Sequence, residues 1–446
     1  MTQANSEKSV THSLAPDRHL LGSDSANSDR SQAAQREWPP HLIGEQHHTV
    51  IDLGKVKRLV MMVTPEQGAS FKDEVWEAIS TIRAILQQQD EPMAVTMQTV
   101  FMRDRAEVPI AKKLFEAYFG DEMPLTLFVV QPPCEGSRLA IEAWAVSTNS
   151  ARVEYHSPDL VTVTYDDMRW LYASGGALHR SGRTAYDQSA DAFECMQRVL
   201  EGAGASFEDV VRVWLYQGCI TKEVNGVERY RELNRARTDF FADIDFDHRP
   251  IPVANNGHAI YPASTGIGTC CDGLVTACMA LQTERKDVVL LPLENPLQVS
   301  AFDYPKVYSM KSPKFARAMA VRMGDHITTW ISGTASIVDS ETVFQGDVEK
   351  QTDQTLTNIE RLIDAENFTR LGWPDGGATL EDLAKIHVYV KHAEDYAKVR
   401  AVCERRLGHL PAIYAVADVC RPDLLVEIEG VAFSSLKKLP LEGSKA

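Results

Sequence analysis

The residue best suited to do chemistry is Glu427. It sits in the run Val426-Glu427-Ile428-Glu429-Gly430-Val431, whose period-2 alternation marks a half-buried strand. Two earlier stretches match this one in position: Leu139-Ala140-Ile141-Glu142 and Val275-Thr276-Ala277-Cys278. Ala140 and Thr276 stand where Glu427 does, so at most one of three such places holds the acid. Strand glutamates are commonly solvated. One whose pKa is raised by its surroundings serves instead as a general acid. Cys420 lies seven residues before Glu427, on or near a facing strand, where it is either a reacting group or a buried structural thiol. Gly333 and Ala335, at the end of an earlier strand, are small where a ring could approach; small residues there also serve tight sheet packing. Arg400 follows Tyr396 by four and precedes Cys403 by three on a helix whose apolar stripe is Tyr396, Val399, Cys403 and Leu407. An arginine leaning to that face needs an anion. Substrate, Asp418 and Glu427 are the alternatives.

The elements that position these residues repeat three times, and repeats of this kind define the fold. An amphipathic helix comes first, near 71–86, 185–200 and 348–363. A β-rich run follows at 95–102, 210–216 and 383–390, then a second helix at 110–119, 228–241 and 396–407. Two closing strands end each copy, and an opening strand or hairpin precedes it, clearest at 168–175 and 326–332. Asp347 and Glu349 complement the dipole at the start of the 348–363 helix. Each copy therefore reads β-β-α-β-α-β-β, an α+β unit with two helices on one face of a sheet and the other face in need of a partner. Three such faces in one chain satisfy one another, which predicts an intramolecular pseudo-trimer with clefts where neighbours meet. The expected organisation is a disordered tail over 1–48, units over 50–148 (degenerate), 163–283 and 317–434, a linker over 284–316, and a C-terminal tail over 435–446.

Composition narrows the function. The chain of 446 residues carries a formal charge of −16 and no Lys/Arg block, which argues against a nucleic-acid partner. No apolar run spans a bilayer, so no membrane role is expected, and the N-terminus shows no secretory pattern. The eight cysteines are scattered without a CxxC pair, which points to a reduced, cytoplasmic compartment and not to zinc.

Residues 317–434 resemble the RidA (YjgF-like) family. The resemblance is carried by Ile331-Ser332-Gly333-Thr334, Gln351 with Asn358, and Leu425-Val-Glu-Ile-Glu-Gly-Val-Ala432. It implies units that assemble as trimers, with sites between them. A wider resemblance, over about 163–434, is to the chorismatases, which are built from RidA-like domains. Its carriers are Gly226-Val-Glu-Arg-Tyr-Arg231, Tyr261-Pro-Ala-Ser-Thr-Gly-Ile-Gly268, Glu294-Asn-Pro-Leu-Gln-Val-Ser-Ala-Phe-Asp-Tyr304, Ser312-Pro-Lys-Phe-Ala-Arg317 and Ser332-Gly-Thr-Ala-Ser-Ile337.

These resemblances imply that Glu427 is the acid/base. They place Arg317 and Tyr308 as partners of the substrate carboxylates and Cys420 where the 3-hydroxybenzoate-releasing chorismatases resemble it. RidA deaminases clamp substrate with an Arg after a Pro-Ala pair, but here Pro411-Ala412-Ile413 and Pro262-Ala263-Ser264 offer none, and Pro124-Leu125-Thr126 in the first copy offers none either. The expected activity is cleavage of the enolpyruvyl ether of chorismate, or a related dianion, to pyruvate and either a hydroxybenzoate or a dihydroxycyclohexadiene carboxylate. Protonation and water attack imply no metal or organic cofactor. An enamine/imine deaminase and a non-catalytic metabolite-binding protein are the alternatives. The assembly is expected to be a monomeric pseudo-trimer or a homo-oligomer.

Overall fold

A computed structural model describes residues 47–178, 183–246, 251–253, 260–304 and 311–436. The expected disordered tail lies outside these except for His47 and for His48, which begins a strand, and the C-terminal tail lies outside except for Ser435 and Leu436.

Runs of Val, Ile, Leu and Met build three sheets in chain order. The first is made of β1 (His48–Asp52), β2 (Lys57–Val63), β3 (Met93–Met102), β4 (Leu125–Val129) and β5 (Leu139–Ser147), with helices α1 (Phe71–Gln87) and α2 (Val108–Phe119). Its strand order is β1-β2-β5-β3-β4. Next come β6 (Arg152–Ser157), β7 (Leu160–Tyr165), β8 (Met168–Leu178), β9 (Val210–Gly218), a small hairpin β10 (Glu223–Val224) and β11 (Val227–Glu228), β12 (Ala263–Thr269) and β13 (Leu274–Thr283). Helices α3 (Ala185–Gly202) and α4 (Arg229–Phe241) belong to this second sheet, ordered β6-β7-β8-β13-β9-β12. The third holds β14 (Val288–Leu293), β15 (Ala318–Met323), β16 (His326–Ala335), β19 (Leu383–Val390), β20 (Ala412–Val416) and β21 (Val426–Ser435). Its order is β14-β15-β16-β21-β19-β20; the hairpin β17 (Ile337–Val338) and β18 (Glu341–Thr342) stands apart, and α5 (Val348–Ile363), α6 (Ala365–Arg370) and α7 (Tyr396–Leu407) are its helices.

In every sheet the closing strand inserts between the strand before the first helix and the strand after it. The strand after the second helix pairs in parallel at the edge, as a helical crossover requires. The segment expected as a linker is not one throughout. Its run Val288-Val-Leu-Leu-Pro-Leu293 is apolar enough to form β14 and pairs with β15, with Pro292 tolerated because the strand is at the sheet edge.

The first helix of each unit starts where a side chain caps it. Ser70 and Asp347 accept from backbone N–H groups of the first turns of α1 and α5, and Thr184 with Asp187 forms a capping box on α3. Each helix pair covers one face of its own sheet, as with Leu356, Ile359, Leu362 and Ile363 of α5. The opposite faces of all three sheets share one core. There Trp144 (β5), Trp214 (β9) and Trp330 (β16) meet, with Trp330 5.4 Å from Trp144 and 6.3 Å from Trp214 between ring centroids. Backbone bonds stitch the sheet edges together: Cys134 N–H to Tyr414 O, Gly268 N–H to Asp418 O, and Cys270 N–H to Val130 O. Among the described residues no helix is long and apolar enough to cross a membrane.

Candidate active site

Between the second and third sheets lies a cavity of about 390 Å³, a size ordinary for small-molecule sites. Helix α4 lends it Tyr230, Asn234 and Arg237 from one face, and β12 adds Ser264 and Gly266. The third sheet supplies Gly333, Ala335 and Glu427, while Tyr304, Phe315, Arg317, Cys420 and Arg421 come from connecting segments.

Glu427 faces Ala335 of β16 and Tyr389 of β19. The β16–β21 register shifts between Ile331 and Thr334, leaving Gly333 in a bulge, a common device beside active sites. Glu427 needs that glycine: a Cβ on Gly333 would lie 2.0 Å from Glu427 Oε1. Only 4% of Glu427 is exposed. Burial, with the like charge of Glu429 adding to it, pushes its carboxyl up to about 8 against the opposing pull of Arg317 and Arg212. At neutral pH it is a proton donor.

Glu429, two residues further on the same strand face, is in the opposite state. Its Oε2 accepts from Arg212 Nη2 at 2.7 Å and from the Thr265 hydroxyl. Lys385 Nζ lies 3.6 Å from its Oε1 and 2.9 Å from Glu142 Oε1. Burial would raise Glu429, but Lys385 and Arg212 hold it below the ordinary carboxylate range. His387 beside it is pushed down to about 3 by burial and is neutral. The carboxylates of Glu142 and Glu429 and the ring of His387 come close together. Lys385 already supplies their counter-charge, so they form an ion-pair network and not a ligand set.

Two guanidinium groups face the cavity with hydrogen bonds to neutral partners, and the buried carboxyl of Glu294, pushed up to about 7 by burial, is an electrostatic neighbour of Arg317. Arg317 Nη2 donates to the Tyr304 hydroxyl at 2.5 Å and to Val299 O at 3.3 Å. Arg237 Nη2 donates to Asn234 Oδ1 at 2.6 Å and its Nη1 to Ser264 Oγ at 3.4 Å. Both sit against the Phe315 ring, at 5.4 and 5.3 Å from its centroid. Both are buried, at 5% and 2% exposure, and the Nε atom of each has no hydrogen-bond partner. Buried cations so held keep their charge for an anion.

Glu427, Cys420, Arg317, Gly333 and Ala335 thus line one cavity. The Cys420 thiol is pushed up to about 12, by burial first and then by Glu427, and is not a thiolate at neutral pH. Tyr308 lies outside the described residues; Tyr304 is the ring whose hydroxyl binds Arg317. Arg400 requires a correction. It is exposed, with Nε bonded to Glu404 at 2.7 Å and Nη1 3.2 Å from Glu135, and so has neither Asp418 nor Glu427 as its anion. The Tyr396–Arg400 edge of α7 borders the first unit, where a second cavity of about 210 Å³ is lined by Met62, Thr64, Glu135, Arg400, Ala412 and Tyr414 among others. Ala140 faces Phe101 there as Glu427 faces Tyr389.

The match in the second copy is also corrected. Val275 pairs with Tyr216, as Glu427 pairs with Tyr389, and it packs toward the shared core. Thr276 is on the helix side, near Gly175 and α3. The bulge beside Thr276 and Ala277 places its extra residue, Gly175, on β8, and β13 keeps an unbroken register with β9 through this stretch. Val275 therefore stands for the acid, and the second copy still lacks one. Arg237, Asn234 and Thr265 were not singled out in the sequence. The detectable signal was polar residues on the apolar side of α4, spaced as Tyr396, Arg400 and Cys403 are on α7.

A family model described as Chorismatase FkbO/Hyg5-like, N-terminal, matches residues 142–280, and one described as Endoribonuclease L-PSP matches residues 313–434. The 3-hydroxybenzoate synthase of Streptomyces hygroscopicus is 33% identical over 298 residues, which is 65% of this chain and 80% of that protein. A chorismatase of Streptomyces rapamycinicus is 37% identical over 229 residues, covering 50% of this chain and 64% of that relative. In three dimensions, a chorismatase crystal structure superposes with a TM-score of 0.61 at 23% identity, over 86% of this chain and 99% of that one.

Proposed function

The chain belongs to the chorismatase family, and from that premise and the cavity geometry we propose that it cleaves the enolpyruvyl ether of chorismate, with Glu427 as the acid. It is a chorismatase-like enzyme acting on a small molecule. The observation that carries the assignment of roles is a buried, protonated Glu427 in a cavity that also holds two guanidinium groups hydrogen-bonded to neutral side chains.

Chorismate carries two carboxylates, and Arg317 and Arg237 are the groups we assign to them. Glu427 gives its proton to the enol methylene, which leaves an oxocarbenium centre at the ether carbon. The new Glu427 carboxylate then faces that cation in a site of low dielectric, where the attraction is strong. Water or a ring hydroxyl adds to the cation and returns a proton to Glu427. Collapse of the adduct breaks the carbon–oxygen bond to the ring and frees pyruvate. With water, one molecule is consumed and the ring leaves as a dihydroxycyclohexadiene carboxylate. With a ring hydroxyl no water is consumed: its oxygen leaves the ring as the keto oxygen of pyruvate, the ether oxygen parts from the pyruvyl carbon and stays on the ring, and a ring C–H proton passes to that oxygen as the ring becomes 3-hydroxybenzoate. Cys420, a neutral thiol beside Glu427, favours the second product, as does the similarity to the 3-hydroxybenzoate synthase over 65% of this chain.

Three sheets of related strand order around one core support an intramolecular pseudo-trimer of units near 50–148, 163–283 and 317–434, with chemistry confined to one cleft. A cytoplasmic location suits eight cysteines that are all free thiols.

The test is incubation of the purified chain with chorismate, following pyruvate and the ring product, beside Glu427→Gln. Loss of general-acid catalysis costs about 10²–10⁴-fold in rate. Pyruvate from the wild type, with kcat reduced on that scale in the variant, is expected. No pyruvate at high enzyme concentration refutes the reading.

A further inference from the structure

Behind the acid, outside the cavity lining, one hydroxyl joins the second sheet to the third. Thr265 of β12 accepts the Gly333 N–H at 2.9 Å and Arg212 Nη2 at 2.6 Å, and donates its own proton to Glu429 Oε2. A threonine hydroxyl has one proton and two lone pairs, so its capacity is fully used. Thr265 is 1% exposed, Arg212 1% and Glu429 2%. The glycine that Thr265 holds is the one Glu427 lies against, and its methyl carbon completes the same wall, 3.2 Å from where a Gly333 Cβ would be.

We propose that Thr265, Arg212 and Glu429 are positioning residues for Glu427: together they fix the Gly333 bulge and set a permanent carboxylate charge behind the acid, so that one sheet governs the proton affinity of the acid on another. This rests on the reading of Glu427 as the acid.

The charged and titratable groups around Glu427 define what the relay must work against. Glu429 faces it from its own strand, Arg317 from the segment before β15, and Arg212 from β9. Tyr389 of β19, Tyr230 of α4 and Cys420 also interact with it. Around Glu429 stand Lys385 and His387 of β19, Arg212, Thr265 and Tyr216. An ionised Glu429 makes a second negative charge at Glu427 unfavourable. It also engages the guanidinium of Arg212, which would otherwise favour that charge.

The sign of the effect follows. Glu427 acts in its protonated form, so activity falls as pH rises through its pKa. Removing the Glu429 charge lets Glu427 ionise at lower pH, and the alkaline limb moves toward acid.

Three variants test this: Glu429→Gln, Thr265→Val and Thr265→Ser. The protonated carboxyl band of Glu427 is identified by infrared spectroscopy as the band lost in Glu427→Gln, and it is titrated without substrate. In Glu429→Gln its midpoint is expected to fall by about one pH unit or more, on the scale of a like-charge neighbour. In Thr265→Val, kcat for pyruvate release is expected to fall about tenfold or more with KM changed less than about threefold, a loss of placement and not of binding. Thr265→Ser, which keeps the hydroxyl, restores it. A midpoint that stays or rises in folded Glu429→Gln overturns the proposal, as does wild-type kcat in Thr265→Val. If Glu429→Gln does not fold, the Val/Ser pair decides alone. If the wild type releases no pyruvate, the functional reading fails, and the infrared titration still judges the relay.

Discussion

Gly333→Ala separates catalysis from folding in this molecule. The added Cβ would sit 2.0 Å from Glu427 Oε1 and 2.9 Å from its carboxyl carbon, with Thr265 Cγ2 at 3.2 Å. Contacts below 3.0 Å do not persist, so Oε1 must retreat by about 1 Å. The colliding atoms are the far end of a side chain, and the carboxyl can rotate away without moving the backbone of β16 or β21. Stability therefore changes little, within the roughly 1–3 kcal/mol of ordinary overpacking. Catalysis does not escape, because a displacement of about 1 Å at a reacting group costs about 10²-fold in rate, or about 2.7 kcal/mol of barrier. The assay is pyruvate release from chorismate, with thermal unfolding as the control. The expected result is a kcat near 1% of wild type in a folded protein. A folded Gly333→Ala that keeps kcat within threefold of wild type would refute the placement of Glu427 against that glycine.

The same cavity makes further predictions. Arg317→Lys and Arg237→Lys keep the charge but lose the planar fork, and each is expected to raise KM for chorismate about tenfold or more while the fold is kept, as steady-state kinetics will show. Arg400→Ala is expected to leave kcat and KM within about twofold, since its partners are Glu135 and Glu404 at the other cleft and exposed ion pairs contribute little. In a pH–rate profile of the wild type, activity should fall on the alkaline side through the Glu427 value of about 8, because the protonated form is the working one.

Much of this arrangement could be read from residue order, and the failures have physical causes. Repeated helix and strand patterns located the sheets, because each unit must bury one face on its own helices. Glu427, Gly333 and Ala335 were recoverable since they belong to paired strands of one unit, where a period of two fixes the side. The Thr276 match failed because two apolar-rich strands align almost equally well one residue apart, and a shift of one moves a side chain from the shared core to the helices. Arg400 failed differently. Its turn of α7 does face a cleft, but the second helix of a unit serves the neighbouring sheet and not its own acid. Glu427 is served by α4, from a different part of the chain, and no local pattern announces that Arg237 and Thr265 meet it. Such contacts depend on which sheet edges join, which only the assembled chain determines.

That division of labour also explains why fusing the copies matters. If one sequence formed all three units, every change would appear in every cleft. Met62 in the place of Gly333 would crowd the acid three times over, and Tyr414 in the place of Gly266 would fill three cavities. Within one chain each change affects one cleft, and the second cavity is accordingly smaller. The buried charges at the centre obey the same logic. Equivalent strand positions hold Glu429, Glu142 and Ala277, which face His387, Thr99 and Trp214, and two residues before each of these stand Lys385, Met97 and Arg212. Two carboxylates meet one ammonium and one guanidinium, and the group is neutral. Three identical units would bury three acids with three bases, each ion costing several kcal/mol of desolvation before pairing. Because its copies differ, the shared core holds two such pairs among the described residues: one bridges the first and third sheets through Lys385 and Glu142, and the other links the second and third through Arg212 and Glu429, beside the acid.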